Sequence, residues 1–219
     1  MKGLLILTGC LLLVSCATLP AIHPPAQAPS GKTFTCPSPF LPEKTRLIHA
    51  IEVRAAGKTQ TAMIGVTLTD PITRTISCAL MSAEGMTFFE AASGPDGLKV
   101  SRALPPFDSM DLARNMMDDI GLIFLAPQET LVQQGVLAGG EKVCRRHKEQ
   151  GGWIDVLADL DGRIQIRRYS EGGSLQRSVI LDGNKAHAYS SIELQATKYT
   201  LMMTLIESEA VKDEPQLRE

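Results

Sequence analysis

Apolar side chains recur at every second position through most of residues 46–206. The alternation breaks once, over a stretch with the period of an α-helix. That pattern constrains the fold more than any other feature. In "RLIHAIEV" (46–53), Leu47, Ile51 and Val53 share one face. In "TAMIGVTLTD" (61–70), Ala62, Ile64, Val66 and Leu68 alternate with Thr61, Gly65, Thr67 and Thr69. Gly57-Lys58 between the two reads as a hairpin turn. Ile76, Cys78 and Leu80 alternate in a third strand, and "EGMTFFEA", with Phe88, and "GPDGLKVSRAL" supply two more.

Pro105-Pro106 stops this meander, and Asp108 or Ser109 is positioned to cap a helix. Ala113, Met116, Met117, Ile120, Ile123 and Phe124 form its apolar stripe. Asp111, Arg114, Asn115 and Asp118 lie opposite, and Pro127 ends it. Strands are then expected at 130–137, 141–147, 152–158, 163–169, 174–181, 189–195 and 198–206. Turns "DGR" (161–163), "EGG" (171–173) and "DGN" (182–184) separate the later ones. In "KYTLMMTLIE" both faces are apolar, so Leu201 and Met203 on one side and Met202 on the other require cover.

Eleven or twelve short strands cannot lie flat, because strand twist accumulates and open edges invite pairing with other chains. The expected fold is mainly β with an inserted helix, an α+β arrangement. It is a highly curved antiparallel sheet, an open half-barrel, with the helix packed in the concave face. The helix's apolar side would line or plug the interior. Ile51, Val53, Ile64, Val66, Phe88, Met116, Met117, Ile120, Phe124, Leu201 and Met203 are the expected cavity-lining, ligand-binding residues. Met63, Met86, Met110, Met116, Met117, Met202 and Met203 all fall in these elements. Their flexible thioethers suit a surface that accepts varied apolar shapes.

The N-terminus follows a different logic. Lys2 precedes a short apolar run, Gly3 to Val14, that exits through Leu13-Val14-Ser15-Cys16. This resembles the lipobox of bacterial lipoproteins. The resemblance implies a signal peptide over residues 1–15 and acylation of Cys16. That modification would place a diacylglyceryl group on sulfur and an acyl chain on the new amine. Two or more chains give stable membrane attachment. Ala17, where an Asp would signal inner-membrane retention, implies the outer membrane's inner leaflet, facing the periplasm. Seven prolines follow between Pro20 and Pro42, so residues 16–44 read as a lipidated, semi-rigid tether. Residues 45–207 form the folded domain and 208–219 a charged tail.

Net charge is −2, which gives no electrostatic case for nucleic-acid binding. No apolar run is long enough to span a bilayer as a helix. Cys10 leaves with the signal peptide. Cys36, Cys78 and Cys144 remain, enough for one disulfide and one free thiol, with the pairing open. Cys78, in register with Ile76 and Leu80, reads as a buried small hydrophobe.

The strand pair "LIHAIEVRAAGKTQTAMIGVTLTDP", the segment "EGMTFFEA", the run "RALPPFD" leading to "DDIGLIFL" and the closing "YTLMMTLIE" resemble the LolA and LolB lipoprotein-carrier superfamily. They are most similar to a LolB-like branch. The resemblance implies a half-barrel whose hydrophobic cavity takes acyl chains of lipoproteins or related amphiphiles, with helices acting as a lid. The turn "SGPDGLK" carries one leucine among polar residues and makes a poor membrane wedge. That departure points away from general lipoprotein insertion and toward a dedicated carrier or assembly role for another lipid or polyene-type product.

No catalytic constellation is expected. Cys144-x-x-His147 lacks a second metal-binding pair, and no metal is expected. Asp159-x-Asp161-Gly162 lacks the later ligands of a calcium loop and reads as a hairpin turn. Gly31-Lys32-Thr33 and Gly57-Lys58-Thr59 lack the first glycine of a phosphate loop. Asp118 belongs to the solvated helix face, and Asp119 points about 100° away from it, toward solvent or a strand. His49 reads as a satisfied core histidine.

The expected function is therefore non-catalytic. A membrane-anchored lipoprotein would bind or transfer an acyl-bearing molecule, with no cofactor beyond its covalent lipid. Its partners would be lipid or lipoprotein acyl chains, with an envelope complex or periplasmic carrier beside them. The alternative is a structural or assembly subunit whose barrel is filled by its own helix.

Overall fold

The computed structural model describes residues 19–24, 34–55, 57–149, 151–185 and 188–212. Cys16, its lipobox and Gly31-Lys32-Thr33 lie outside the described residues. Five strands come first: β1 (Thr45–Ala55), β2 (Lys58–Asp70), β3 (Thr75–Met81), β4 (Thr87–Gly94) and β5 (Gly97–Ala103). The helix α1 (Met110–Phe124) follows. Seven strands complete the chain: β6 (Thr130–Val136), β7 (Lys142–His147), β8 (Trp153–Ala158), β9 (Ile164–Tyr169), β10 (Leu175–Lys185), β11 (Ala188–Ala196) and β12 (Thr200–Ala210).

All twelve strands make one antiparallel sheet in the order β5-β4-β3-β2-β1-β12-β11-β10-β9-β8-β7-β6. The two meanders therefore join through β1 and β12, and the sheet stays open. Its edge strands, β5 and β6, are consecutive in the chain, with α1 between them. The helix lies across the concave face. Ser109 caps it, its hydroxyl accepting the Leu112 N–H. Leu125 is extended and closes the last turn through its N–H to the Gly121 carbonyl. Ala113, Met117, Leu122, Ile123 and Phe124 are buried against Leu47, Ile76, Phe89, Val179 and Leu205 from both halves of the sheet.

Three local readings change. The "DGN" stretch is not a turn: β10 continues through it to Lys185, and Asp182 and Asn184 still pair with Ser191 and Tyr189. Gly183, with φ +66°, absorbs the irregularity. β12 extends into the expected tail. Its Glu207 and Glu209 hold Arg46 at 2.6 and 2.8 Å, and the ladder closes at Thr45 with Ala210. Phe89, not Phe88, faces the core, fully buried.

The largest change concerns the tether, whose described parts are docked on the domain. His23 makes two backbone hydrogen bonds with Val136, adding a one-residue bridge to edge strand β6. Ile22 is buried with Leu137, Val143 and Leu157. Gly135 permits this approach, since a methyl group there would collide with the His23 carbonyl oxygen. Cys36 forms a disulfide with Cys144 on β7. Leu41 is buried and donates its N–H to the Phe124 carbonyl at the end of α1. Proline-rich composition favours extended backbone, and extended backbone also suits a strap laid along a sheet edge.

Candidate functional site

The two walls of the site come from complementary faces. On β1, Leu47, His49, Ile51 and Val53 point into the concavity. The register pairs Ile51 with Met63, His49 with Gly65 and Leu47 with Thr67. Directly paired residues share a face, so Met63, Gly65, Thr67 and Thr69 face inward on β2. Gly65 leaves room for Ile51, whose side chain would contact any Cβ placed there.

Between this wall and α1 lies a cavity of about 330 Å³. That volume falls at the lower end of the roughly 300–1,000 Å³ typical of ligand pockets. Ile51, Val53, Met63 and Leu80 form its sheet side, with Leu194, Leu201 and Met203 from the second half. Leu112, Met116, Ile120 and Ile123 form its helix side. Pro106 and Phe107, from the loop entering α1, complete the rim.

Six of the eleven expected positions thus lie on the cavity wall: Ile51, Val53, Met116, Ile120, Leu201 and Met203. Five do not. Ile64 and Val66 lie on the outer face, where Val66 borders a surface groove with Leu68 and Ala79. The more apolar set of β2 faces outward because the concave side must leave space for α1. Phe88 is half-buried beside Phe107, with ring centroids 6.3 Å apart. Met117 borders a second pocket on the other flank of α1. Phe124 is buried near His49, with ring centroids 6.0 Å apart.

One charged group interrupts the largely apolar wall. Asp119 of α1 is 4% exposed. Its carboxylate accepts from Arg177 Nε at 2.9 Å and from the Tyr199 hydroxyl at 3.0 Å. Arg168 Nη2 stands 3.6 Å away. Burial raises the Asp119 carboxyl above its usual value, against the pull of both guanidiniums and the hydroxyl. Burial and the Asp119 charge push Tyr199 up to about 12, so it remains a donor. This cluster fixes α1 to β9, β10 and the turn before β12. Asp118 is exposed, as its position on the helix predicts. Asp119→Asn is expected to lower stability by about 2 kcal/mol, since it strands two partly buried guanidiniums. Amide exchange should accelerate selectively across residues 110–124, and unchanged protection there would contradict the assignment.

The weaker motifs resolve plainly. Cys144 is consumed by its disulfide, and the His147 ring lies 4.6 Å from that of Trp153. The Asp159 carboxylate accepts the N–H groups of Asp161 and Arg163, which makes the hairpin turn. Cys78 is buried, its sulfur 3.4 Å from the Met117 sulfur. His49 departs from expectation: it is buried, but neither ring nitrogen has a hydrogen-bond partner among the described residues. Sequence periodicity missed Met63, Leu80, Leu112 and Leu194 as wall residues. The β1–β2 register would have found Met63, because its partner Ile51 faces inward.

A strongly curved open sheet, with a helix across its concave face and an apolar cavity beneath, defines an open half-barrel. The crystal structure of the LolA superfamily protein NE2245 from Nitrosomonas europaea aligns with a TM-score of 0.54 at 12% identity. The match covers 81% of this chain and 90% of that one. A putative outer membrane lipoprotein-sorting protein domain from Vibrio parahaemolyticus aligns over 80% of this chain and 88% of that one. Its TM-score is 0.39 at 10% identity, too low to add weight. No protein-family model and no curated protein matches the sequence.

Proposed function

We propose that this protein is a periplasm-facing lipoprotein, anchored in the outer membrane through Cys16, that binds and hands over an acyl-bearing molecule. The observation that carries the reading is the apolar cavity between α1 and the concave sheet. Capture is reversible burial: about six methylenes leaving water contribute about 5 kcal/mol, before the cost of ordering the chain. The role is binding and transfer, without covalent chemistry on the cargo. The fold shared with a LolA superfamily protein supports this class of work.

The docked strap refines the attachment. An extended chain from Cys16 to Ile22 reaches at most roughly 20 Å. The domain would therefore sit close to the bilayer, with the β6 edge nearest the anchor. The assembly-subunit alternative draws on one observation, that α1 already fills much of the concavity.

Filling the remaining space tests the reading. Met116→Trp and Leu201→Trp are each expected to weaken uptake of a fluorescent fatty acid at least about tenfold, equivalent to about 1.4 kcal/mol. Unfolding midpoints should stay near wild type. Unchanged uptake in both variants would favour the self-filled barrel.

A further inference from the structure

The flank of α1 facing away from the apolar cavity has a different chemistry. There a second pocket, of about 230 Å³, lies between α1 and strands from both halves of the sheet. Met117, Leu122 and Ile154 supply apolar wall, as the main cavity would lead one to expect. Three basic residues, Arg74, Lys148 and Arg168, border the same small space.

These cations are unequally satisfied. Arg74 donates to the Ala126 carbonyl at 2.9 Å. It holds this position from a left-handed backbone conformation, φ +56°, uncommon for a residue other than glycine. Lys148 has no side-chain hydrogen bond or ion pair among the described residues. Arg168 is 13% exposed, and its Nε is buried without an acceptor. Its one ionic contact, to Asp119 at 3.6 Å, is shared with the closer Arg177. One carboxylate therefore serves two partly buried guanidiniums.

Asp118 and Glu129 also border the pocket and temper its potential. Counting them with the cluster behind, four cations face three carboxylates, which leaves one positive charge unbalanced. A buried guanidinium without its full set of acceptors is costly, and a bound anion relieves that cost. Asp119 and Arg168 also connect the two spaces. Asp119 borders the apolar cavity and Arg168 borders the basic pocket, and the two groups stand 3.6 Å apart.

We propose that the basic pocket binds the anionic headgroup, a phosphate or carboxylate, of the amphiphile whose chain occupies the apolar cavity. This rests on the carrier reading above and narrows it to acidic amphiphiles. Arg168 and Lys148 supply the charge, while Asp118 and Glu129 limit the pocket to a small headgroup.

Calorimetric titration of the full chain carrying Cys16→Ser, with its disulfide formed, tests this. Dodecyl phosphate, dodecyl maltoside and inorganic phosphate are compared below micellar concentrations. Dodecyl phosphate is expected to bind at least about tenfold more tightly than the maltoside. Arg168→Gln and Lys148→Gln should each remove most of that preference and leave maltoside binding unchanged. The Lys148 side chain makes no hydrogen bond or ion pair among the described residues, so its variant remains informative if Arg168→Gln fails to fold. Equal affinity for the two dodecyl compounds, or a preference that survives in both variants, overturns the headgroup site and spares the carrier reading. Inorganic phosphate binding as tightly as dodecyl phosphate overturns it in favour of a free-anion site. Failure of both dodecyl compounds to bind overturns the carrier reading itself.

Discussion

Replacing Cys36 and Cys144 together by serine is expected to lower the unfolding free energy by about 4 kcal/mol. The disulfide closes a loop with a sequence separation of 108 residues. Loop entropy alone gives about 4.7 kcal/mol for a loop near 100 residues, and relaxation of the folded state trims it. The bond also holds the strap against the sheet. Without it, the His23–Val136 bridge and buried Ile22 depend on two backbone hydrogen bonds, one hydrogen bond from the Gln133 side-chain amide to the Ile22 carbonyl, and a small apolar cluster. Loss of the strap bares the β6 edge, where Leu131 and Val132 are already exposed, so the variant should also self-associate. Cys78 does not confuse the result: burial pushes its thiol up to about 12, which leaves almost no thiolate for exchange. Urea denaturation of wild type with and without reductant should reproduce the same loss. An unchanged midpoint would mean that the strap contributes nothing to the fold.

The second large effect is acid sensitivity centred on His49. Burial holds its imidazole near a pKa of about 4, against an ordinary 6.5. The ring sits in an apolar environment beside Phe124, with no acceptor for either nitrogen. Above pH 6.5 both folded and unfolded chains carry it neutral, and it adds no pH dependence. Between pH 6.5 and about 4 the unfolded chain binds a proton that the folded chain refuses. Stability therefore falls as pH drops through that window, by about 3 kcal/mol in total, and levels off below it. His49→Leu should flatten this part of the profile and raise stability at pH 5. Unfolding free energies at half-unit intervals from pH 4 to 7.5 measure it. A wild-type curve as flat as that of the variant would place His49 in contact with solvent or a partner.

Much of this fold is legible in the sequence because two periods carry it. The single helix announces itself by the spacing from Ala113 to Phe124, and Pro105-Pro106 and Pro127 bound it. The β8–β9 and β9–β10 connections follow from Gly-containing turns. Which face of a strand points inward is harder to read. β2 is apolar on one side and small or hydroxylic on the other, and the usual inference takes the apolar side as core. Here the interior must admit a helix and a cavity, so Met63, Gly65 and Thr67 face it, while Ile64 and Val66 face out. Only pairing with β1 settles the choice, and pairing is a long-range fact. The Asp119 cluster was hidden for the same reason, since its partners Arg168, Arg177 and Tyr199 lie 49 to 80 residues further along the chain. The strap escaped because extended, proline-rich backbone has no period to betray a docking partner.

Native mass spectrometry of the chain purified from a bacterial periplasm, compared with its Met116→Trp variant, tests the central claim most directly. The account predicts that wild type carries bound species, identified on extraction as acyl lipids or lipopeptides, and that the variant loses them while keeping its fold. A clean ligand-free mass for wild type, with no uptake of an added fluorescent fatty acid, would contradict the carrier account and leave a self-filled barrel that acts through protein partners.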